Sequence, residues 1–273
     1  MTQYEPNGII TLLTDFGCRD PFVGVMKGVI LSRFRDAVVV DLTHSIDAQD
    51  IAQGSFWLEK SFGWFPRGTV HLAVVDPAVG TSRAAVVVTA GGHCFVGPDN
   101  GLLAPAVDTA GAGEVHEIDV ERVGLSRPCD TFHGRDVFAP VGALLASGHA
   151  QPSSVGPPRP GLAESPLPRV KRTPTGVVGS VVAVDHFGNL VTNLDENLLK
   201  TGRTVDVCIM GKSLPVRRTF ADAERGEWLA LVGSFGTIEL AVREGHAASV
   251  LGVRPGTPVE LMMSRSVSGM PQP

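Results

Sequence analysis

Apolar residues along this chain follow one rhythm in the first 150 residues and another after about residue 176. In the first part, short unbroken apolar runs alternate with stretches of helical period. Residues 8–14, 37–42, 69–75 and 84–89 read as buried strands. Phe22, Val25, Met26, Val29 and Ile30 fall on one helical face. Asp47 can cap a following helix that carries Ile51, Ala52 and Phe56 on one side. Residues 136–147 read as a further helix. Continuous apolar strands separated by helices predict an α/β domain whose central, mostly parallel sheet is covered on both faces.

The pattern then breaks. Residues 151–175 include Pro152, Pro157, Pro158, Pro160, Pro166, Pro168 and Pro174, too many for a helix or a central strand. This segment reads as a linker between an N-terminal domain, 1–150, and a C-terminal domain, 176–273. Residues 177–184, 190–194, 205–210, 228–232, 237–242 and 259–263 then form short strand-like runs separated by Gly, Asn and Pro turns, with no helical stretch. They predict a small all-β domain, sandwich or barrel.

Composition narrows the class. A chain of 273 residues with net charge -5 has ample length for a core and no basic block suited to nucleic acid. No apolar run reaches the roughly 18 residues that span a bilayer. The first residues lack the basic and apolar regions of a signal peptide. Cys18, Cys94, Cys129 and Cys208 are scattered, which fits a reducing cytoplasm rather than a disulfide framework or a zinc cage. The histidines make no i,i+4 pair, so no metal site is expected.

Candidate chemistry gathers where apolar runs stop. Asp15 ends the first strand, where a carboxylate can accept two ribose hydroxyls or simply cap a turn. Neither a G-x-G-x-x-G nor a Walker-type loop follows. Asp76 and Arg83 share the segment Asp-Pro-x-x-Gly-Thr-x-Arg, and His133 lies in Thr-Phe-His-Gly-Arg-Asp. Each residue alone has an ordinary structural use; together they form an acid, a guanidinium and an imidazole able to hold one water. Pro98-Asp99-Asn100-Gly101 suits a tight hairpin, and Arg135 and Asp136 suit a structural pair. In the β domain, Asp185-His186-Phe187-Gly188-Asn189 and Gly233-Ser234-Phe235-Gly236 read as polar turns with ligand-binding potential.

These segments, with Leu12–Gly17, Val40–His44, Val96–Leu103 and Phe220–Ala223, make nearly the whole chain resemble the S-adenosyl-L-methionine hydroxide adenosyltransferases. That family is related to the fluorinases and chlorinases. The resemblance implies an N-terminal α/β domain and a C-terminal β-barrel. It implies a homotrimer with each active site between subunits, a small-molecule substrate, and no cofactor. It assigns Asp15 to the ribose diol, and Asp76, Arg83 and His133 to the attacking water. Asp185 and Asn189 fall on the methionine-binding turn, Phe187 beside adenine and Ser234 at the methionine carboxylate. The halogenases carry Arg where this chain has Phe235, and an adenine-stacking Trp near the position of Gln49. They lack the Asp/Arg/His set, so its presence favours water over halide.

The chemistry then expected is hydrolysis of S-adenosyl-L-methionine to adenosine and L-methionine. Ionising water fully at pH 7 spans roughly 9 pKa units, about 12 kcal/mol, so free hydroxide is not expected. Positioning in line with the C–S bond is the main effect, worth roughly 7–11 kcal/mol in favourable cases. A carboxylate beside Arg83 is a poor base, so His133 is expected to take the proton while Asp76 orients the water or the imidazole. The alternatives are halide transfer giving 5′-halo-5′-deoxyadenosine, and a non-catalytic protein that binds adenosine or S-adenosylmethionine.

Overall fold

The computed structural model describes residues 4–111, 113–126, 128–200 and 204–264. They form two compact units, the first ending at Leu167 and the second starting at Pro168.

The first unit is built on a sheet of β1 (Ile9–Thr14), β2 (Val38–Thr43), β3 (Val70–Val74), β4 (Ala85–Ala90), β5 (His93–Pro98), β6 (Gly113–Glu117) and β7 (Pro158–Arg159). Their order is β2-β1-β3-β5-β4-β6-β7. The strands β2, β1, β3 and β5 run parallel, and β4, β6 and β7 add antiparallel pairings. The proline-rich stretch thus supplies an edge strand, β7. Four helices accompany the sheet: α1 (Phe22–Arg33), α2 (Ile51–Ser61), α3 (Ala104–Ala110) and α4 (Ala139–Ala146). Strand alternation sorts the core. Ile10 and Leu12 of β1 enter the cluster that holds Met26 and Ile30 of α1 and Val141 and Leu145 of α4. Leu13 enters the other cluster, with Leu58 of α2 and Ala106 of α3. One polar thread crosses the core: Thr11 Oγ1 lies 2.8 Å from His71 Nδ1, and His71 Nε2 lies 3.1 Å from His93 Nδ1. Burial, then His93, pushes His71 down to about 3, which keeps it neutral.

Several local expectations change. The buried face of α1 is Val23, Met26 and Ile30, whereas Phe22 and Val25 are 45% and 40% exposed. Asp50, not Asp47, caps α2 by accepting from Gln53 N at 2.9 Å; Asp47 instead exchanges hydrogen bonds with the Gln53 side chain. Residues 98–101 lead from β5 into α3 and form no hairpin. The β4–β5 hairpin turns at Gly91-Gly92, both with positive φ (59° and 86°), as its tight turn requires.

The second unit is an antiparallel sheet of β8 (Lys171–Thr173), β9 (Gly176–Val184), β10 (Leu190–Asp195), β11 (Thr204–Ile209), β12 (Lys212–Leu214), β13 (Trp228–Val232), β14 (Thr237–Val242) and β15 (Pro258–Ser264). Its order is β12-β11-β15-β9-β10-β14-β13, with β8 on β9. Val216, just past β12, bridges to Ala230 on β13, so the sheet nearly closes into a barrel. The α/β-plus-barrel architecture expected from the chain is the one found. A short helix, α5 (Ala247–Leu251), which periodicity did not reveal, is capped by His246.

Candidate active site

Chemistry-bearing residues of the first unit collect at the carboxyl end of its parallel strands. Thr14 of β1 is paired with Val74 of β3, so Asp15 and Asp76 leave the same edge of the sheet. Asp15 accepts a hydrogen bond from the Gln49 backbone N–H at 2.8 Å. Gln49 has a positive φ of 67°, an uncommon conformation for a side-chain-bearing residue. Thr14 Oγ1 meets His44 Nδ1 at 2.9 Å, and Gly17 N–H donates to His44 O at 2.8 Å, which fixes the loop around Asp15.

Asp76 begins a turn in which Val79 N–H donates back to its carbonyl at 3.2 Å. Gly80 follows with φ 79°, and a Cβ there would meet the Asp130 carbonyl oxygen. Only glycine therefore lets the loop carrying His133 come this close. Gly134 begins a π-helical turn, Gly134–Phe138, that runs into α4. A Cβ at Gly134 would press on Met26, Phe132 and Phe16. Arg135 and Asp136 pair with each other at 2.6 and 2.8 Å, as expected.

These turns bring Asp76, Arg83 and His133 into one network. Arg83 Nε lies 3.0 Å from both Asp76 carboxylate oxygens, and Nη2 also donates to Oδ2. The same Nη2 lies 2.7 Å from His133 Nδ1, across 50 residues of sequence. A guanidinium has no lone pair to offer, so Nδ1 accepts and the proton of neutral His133 resides on Nε2. Arg83 and Asp76 side chains are only 8% and 5% exposed. The guanidinium carbon also sits 5.5 Å from the Phe138 ring centroid. Burial, then the Arg83 charge, holds His133 below the usual imidazole range.

Asp76 and His133 face a cavity of about 180 Å³, lined also by Phe16, Phe22, Val74, Val79, Thr131, Phe132 and Gly134. Arg83 stands behind this wall, bonded to both polar groups. Phe16, Phe22 and Phe132 form a ring cluster with centroids 5.4–6.0 Å apart. The cavity thus offers one acidic and one imidazole edge within an apolar surround.

In the second unit, the turn between β9 and β10 is organised by Asp185. Its Oδ1 accepts from Phe187 N at 2.9 Å and Asn189 N at 2.8 Å, and its Oδ2 from Asn189 Nδ2 at 2.9 Å. Phe187 is 71% exposed, an unusual state for an aromatic held in a tight turn. Ser234 lies on the exposed turn between β13 and β14, closed by Gly233 N–H donating to Thr237 O at 2.8 Å.

Residues 10–156 match the family model of the SAM hydroxide adenosyltransferase N-terminal domain, and residues 179–260 match that of the C-terminal domain. The chain belongs to the S-adenosyl-L-methionine hydroxide adenosyltransferase family. A (R)-S-adenosyl-L-methionine hydrolase from Thermus thermophilus is 40% identical over 93% of this chain and 99% of its own length. A fluorinase from Actinopolyspora mzabensis is 28% identical over 97% of this chain and 100% of its own. An uncharacterized conserved protein of known structure from Thermotoga maritima aligns with TM-score 0.86 and 36% identity, over 92% of this chain and 99% of that one.

Membership in this family gives the separate turns a common context. Of the expected site residues, the first unit joins Asp76, Arg83 and His133 directly and sets Asp15 on the same sheet edge. The second unit joins Asp185 and Asn189 directly and presents Phe187 from their turn. The sequence reading missed Phe16, Phe22 and Val79 as cavity walls. Spacing puts Phe22 on one helical face with Met26 and Ile30, and no spacing rule marks a residue at the start of a helix that turns to line a site.

Proposed function

We propose that this chain hydrolyses S-adenosyl-L-methionine to adenosine and L-methionine by attack of an enzyme-held water on C5′. The observation that carries this reading is the Asp76–Arg83–His133 network on the wall of an apolar cavity. The sulfonium carbon is already activated, because a neutral thioether leaves. Its positive charge disperses along the reaction, which a poorly solvated site favours. No Lewis acid is needed for such a leaving group, and no cofactor is invoked.

The hydrogen-bond directions assign roles. His133 carries its proton on Nε2 and is a donor towards the water. Asp76 keeps acceptor capacity beyond its bonds to Arg83 and orients a water proton. One donor and one acceptor leave a water lone pair free to point at C5′. The attacking oxygen becomes a protonated alcohol as the C–S bond breaks. That species is a far stronger acid than a carboxylic acid, so even the guanidinium-paired Asp76 suffices as acceptor. Proton uptake thus moves from His133, where sequence reasoning put it, to Asp76, because Arg83 occupies the lone pair of His133. Arg83, behind the wall, fixes the position of the Asp76 carboxylate and the tautomer of His133.

Asp15 is proposed to bind the ribose diol. Asp185, Asn189 and Ser234 are proposed to hold the methionine half, with Phe187 against adenine. The family resemblance further suggests a homotrimer in which neighbouring subunits complete each other's sites.

Reaction in oxygen-18 water tests the assignment. Adenosine should carry the label at its 5′-oxygen, and the rate should survive a chelator. Unlabelled adenosine would exclude water attack at C5′. Formation of 5′-chloro-5′-deoxyadenosine in chloride, in place of adenosine, would favour halide transfer.

A further inference from the structure

Residues 40–44 carry an acid and an imidazole that the proposed reaction does not use. β1 and β2 pair regularly as far as Leu12 and Asp41; Leu13 then faces Thr43, so Leu42 is an extra residue in β2. Asp41 and His44, three apart, would leave a regular strand on opposite faces. Here His44 Nε2 lies 3.0 Å from Asp41 Oδ1 and has no other partner among the described residues. Lys27 Nζ of α1 donates to Asp41 Oδ2 at 2.6 Å. On the other side of the ring, His44 Nδ1 lies 2.9 Å from Thr14 Oγ1, and Phe16 N–H donates to the same hydroxyl oxygen at 3.2 Å. The contacts run from the partly exposed Lys27 and Asp41, through the buried His44 and Thr14, to the backbone that carries Asp15.

Charge sets the directions. An imidazole lone pair aimed at a carboxylate would be repelled, so Nε2 of neutral His44 carries the proton and Nδ1 accepts from Thr14. Burial works against the charge of Asp41, and the contacts from Lys27 and His44 outweigh it, holding the carboxyl below its ordinary range. The Thr14 hydroxyl then donates to His44 and uses a lone pair for Phe16 N–H. A hydroxyl, an imidazole and a carboxylate in line resemble a nucleophile with its base, but Thr14 is fully buried and its oxygen is engaged by the loop. The set therefore fixes a position, and the position it fixes is that of Asp15. Asp15 Oδ2 accepts from Gln49 N–H, and among the described residues Oδ1 has no partner. A vicinal diol needs two acceptors at a set spacing, which Oδ1 and the remaining capacity of Oδ2 supply.

We propose that His44, oriented by Asp41, is a positioning residue: acting through Thr14, it holds loop 15–17 so that the Asp15 carboxylate reads a vicinal diol and makes the site selective for a ribonucleoside. This inference rests on the S-adenosyl-L-methionine reading, which places the ribose at Asp15. The ring and the backbone of His44 act separately. Its carbonyl accepts from Gly17 N–H whatever the side chain, so the loop keeps one tether when the ring is replaced.

His44→Leu removes both ring nitrogens, and His44→Asn keeps an acceptor near the place of Nδ1. Calorimetric titration with adenosine and with 2′,3′-dideoxyadenosine reads the diol directly. The native chain should prefer adenosine. His44→Leu should weaken adenosine about 10-fold, the scale of one misplaced hydrogen bond to a charged group, and leave dideoxyadenosine unchanged. His44→Asn should retain most of the preference. On S-adenosyl-L-methionine, His44→Leu should raise KM by a similar factor with a smaller change in kcat, because the diol is held before and during the reaction alike. An equal loss for both nucleosides marks a merely structural residue and overturns the proposal, as does no loss for either or a native chain without the preference. Hydrolysis is judged apart. If the native chain forms no adenosine from S-adenosyl-L-methionine, the hydrolysis reading falls, and the nucleoside titration alone judges His44. Should His44→Leu fail to fold, Thr14→Val against Thr14→Ser gives the answer: only Thr14→Val should lose the preference, and an equal preference in both overturns the proposal.

Discussion

The two units treat buried charge in opposite ways. In the first, Asp76, Arg83 and His133 satisfy one another before any substrate arrives. In the second, Glu239 is buried, feels the like charge of Asp185, and has no donor among the described residues. The difference lies in whether a partner is fixed in advance. A weak nucleophile such as water gains most from groups fixed in advance, because their reorganisation is avoided during reaction. A buried carboxyl without a donor is instead favoured in its protonated form, since burial and a like charge raise it towards neutrality. The first arrangement pairs its charges during folding; the second leaves a buried acid whose proton the fold must hold.

The largest effect should come from breaking the paired network at its centre. Arg83→Ala should lower adenosine formation about 100- to 1000-fold, the scale of losing one preorganised electrostatic group. It should also cost about 3 kcal/mol of stability, because Asp76 is left buried and unpaired. Adding Asp76→Asn should recover part of that stability and none of the activity. Chromatography and denaturant unfolding read the two quantities separately. A single variant with native turnover would remove the network from the mechanism.

A smaller effect sharpens the same contrast through pH. His133 must stay neutral to accept from Arg83, and burial with the adjacent guanidinium lowers its pKa. Protonation is therefore deferred to lower pH than for a free imidazole. kcat/KM should be level above about pH 6.5 and decline only beneath it, as the depressed value is crossed. Replacing the guanidinium, as in Arg83→Gln, should move the inflection back up. An inflection above pH 6.5 in the native enzyme would contradict the hydrogen bond that assigns the His133 tautomer.

How much of this was legible in the chain depended on distance along it. Strands such as β1 and β3 showed as unbroken apolar runs, because both faces of a parallel sheet are buried. Asp76 and Arg83 showed as a pair because one turn carries both. His133 could be placed beside them only through resemblance. Its approach depends on Gly80 clearing the Asp130 carbonyl, a contact across 50 residues that no local pattern encodes. The α1 face was misread for a related reason: Phe22 packs on Phe16 and Phe132 at the cavity instead of in the core. Glu239 did leave a trace, as the one acid in the run Thr237–Val242. Alternation allows a polar residue on the outer face of a strand, and the sequence could not show that this face is covered.

The smallest effect concerns the unpaired region alone and reads stability. Folding raises the Glu239 carboxyl to about 7, so the folded state favours the protonated acid. The stability linked to that proton is fully present below the unfolded value of about 4.3 and is lost as pH rises towards the folded one. Glutamine carries no such proton. Glu239→Gln and the native chain should therefore be close in stability at pH 4. At pH 8 the variant should be the more stable, by on the order of 2 kcal/mol, after allowing for the site's partial access to water. Parallel pH profiles for the two chains would mean that Glu239 is not held against its charge, and the contrast between the units would lose its second half.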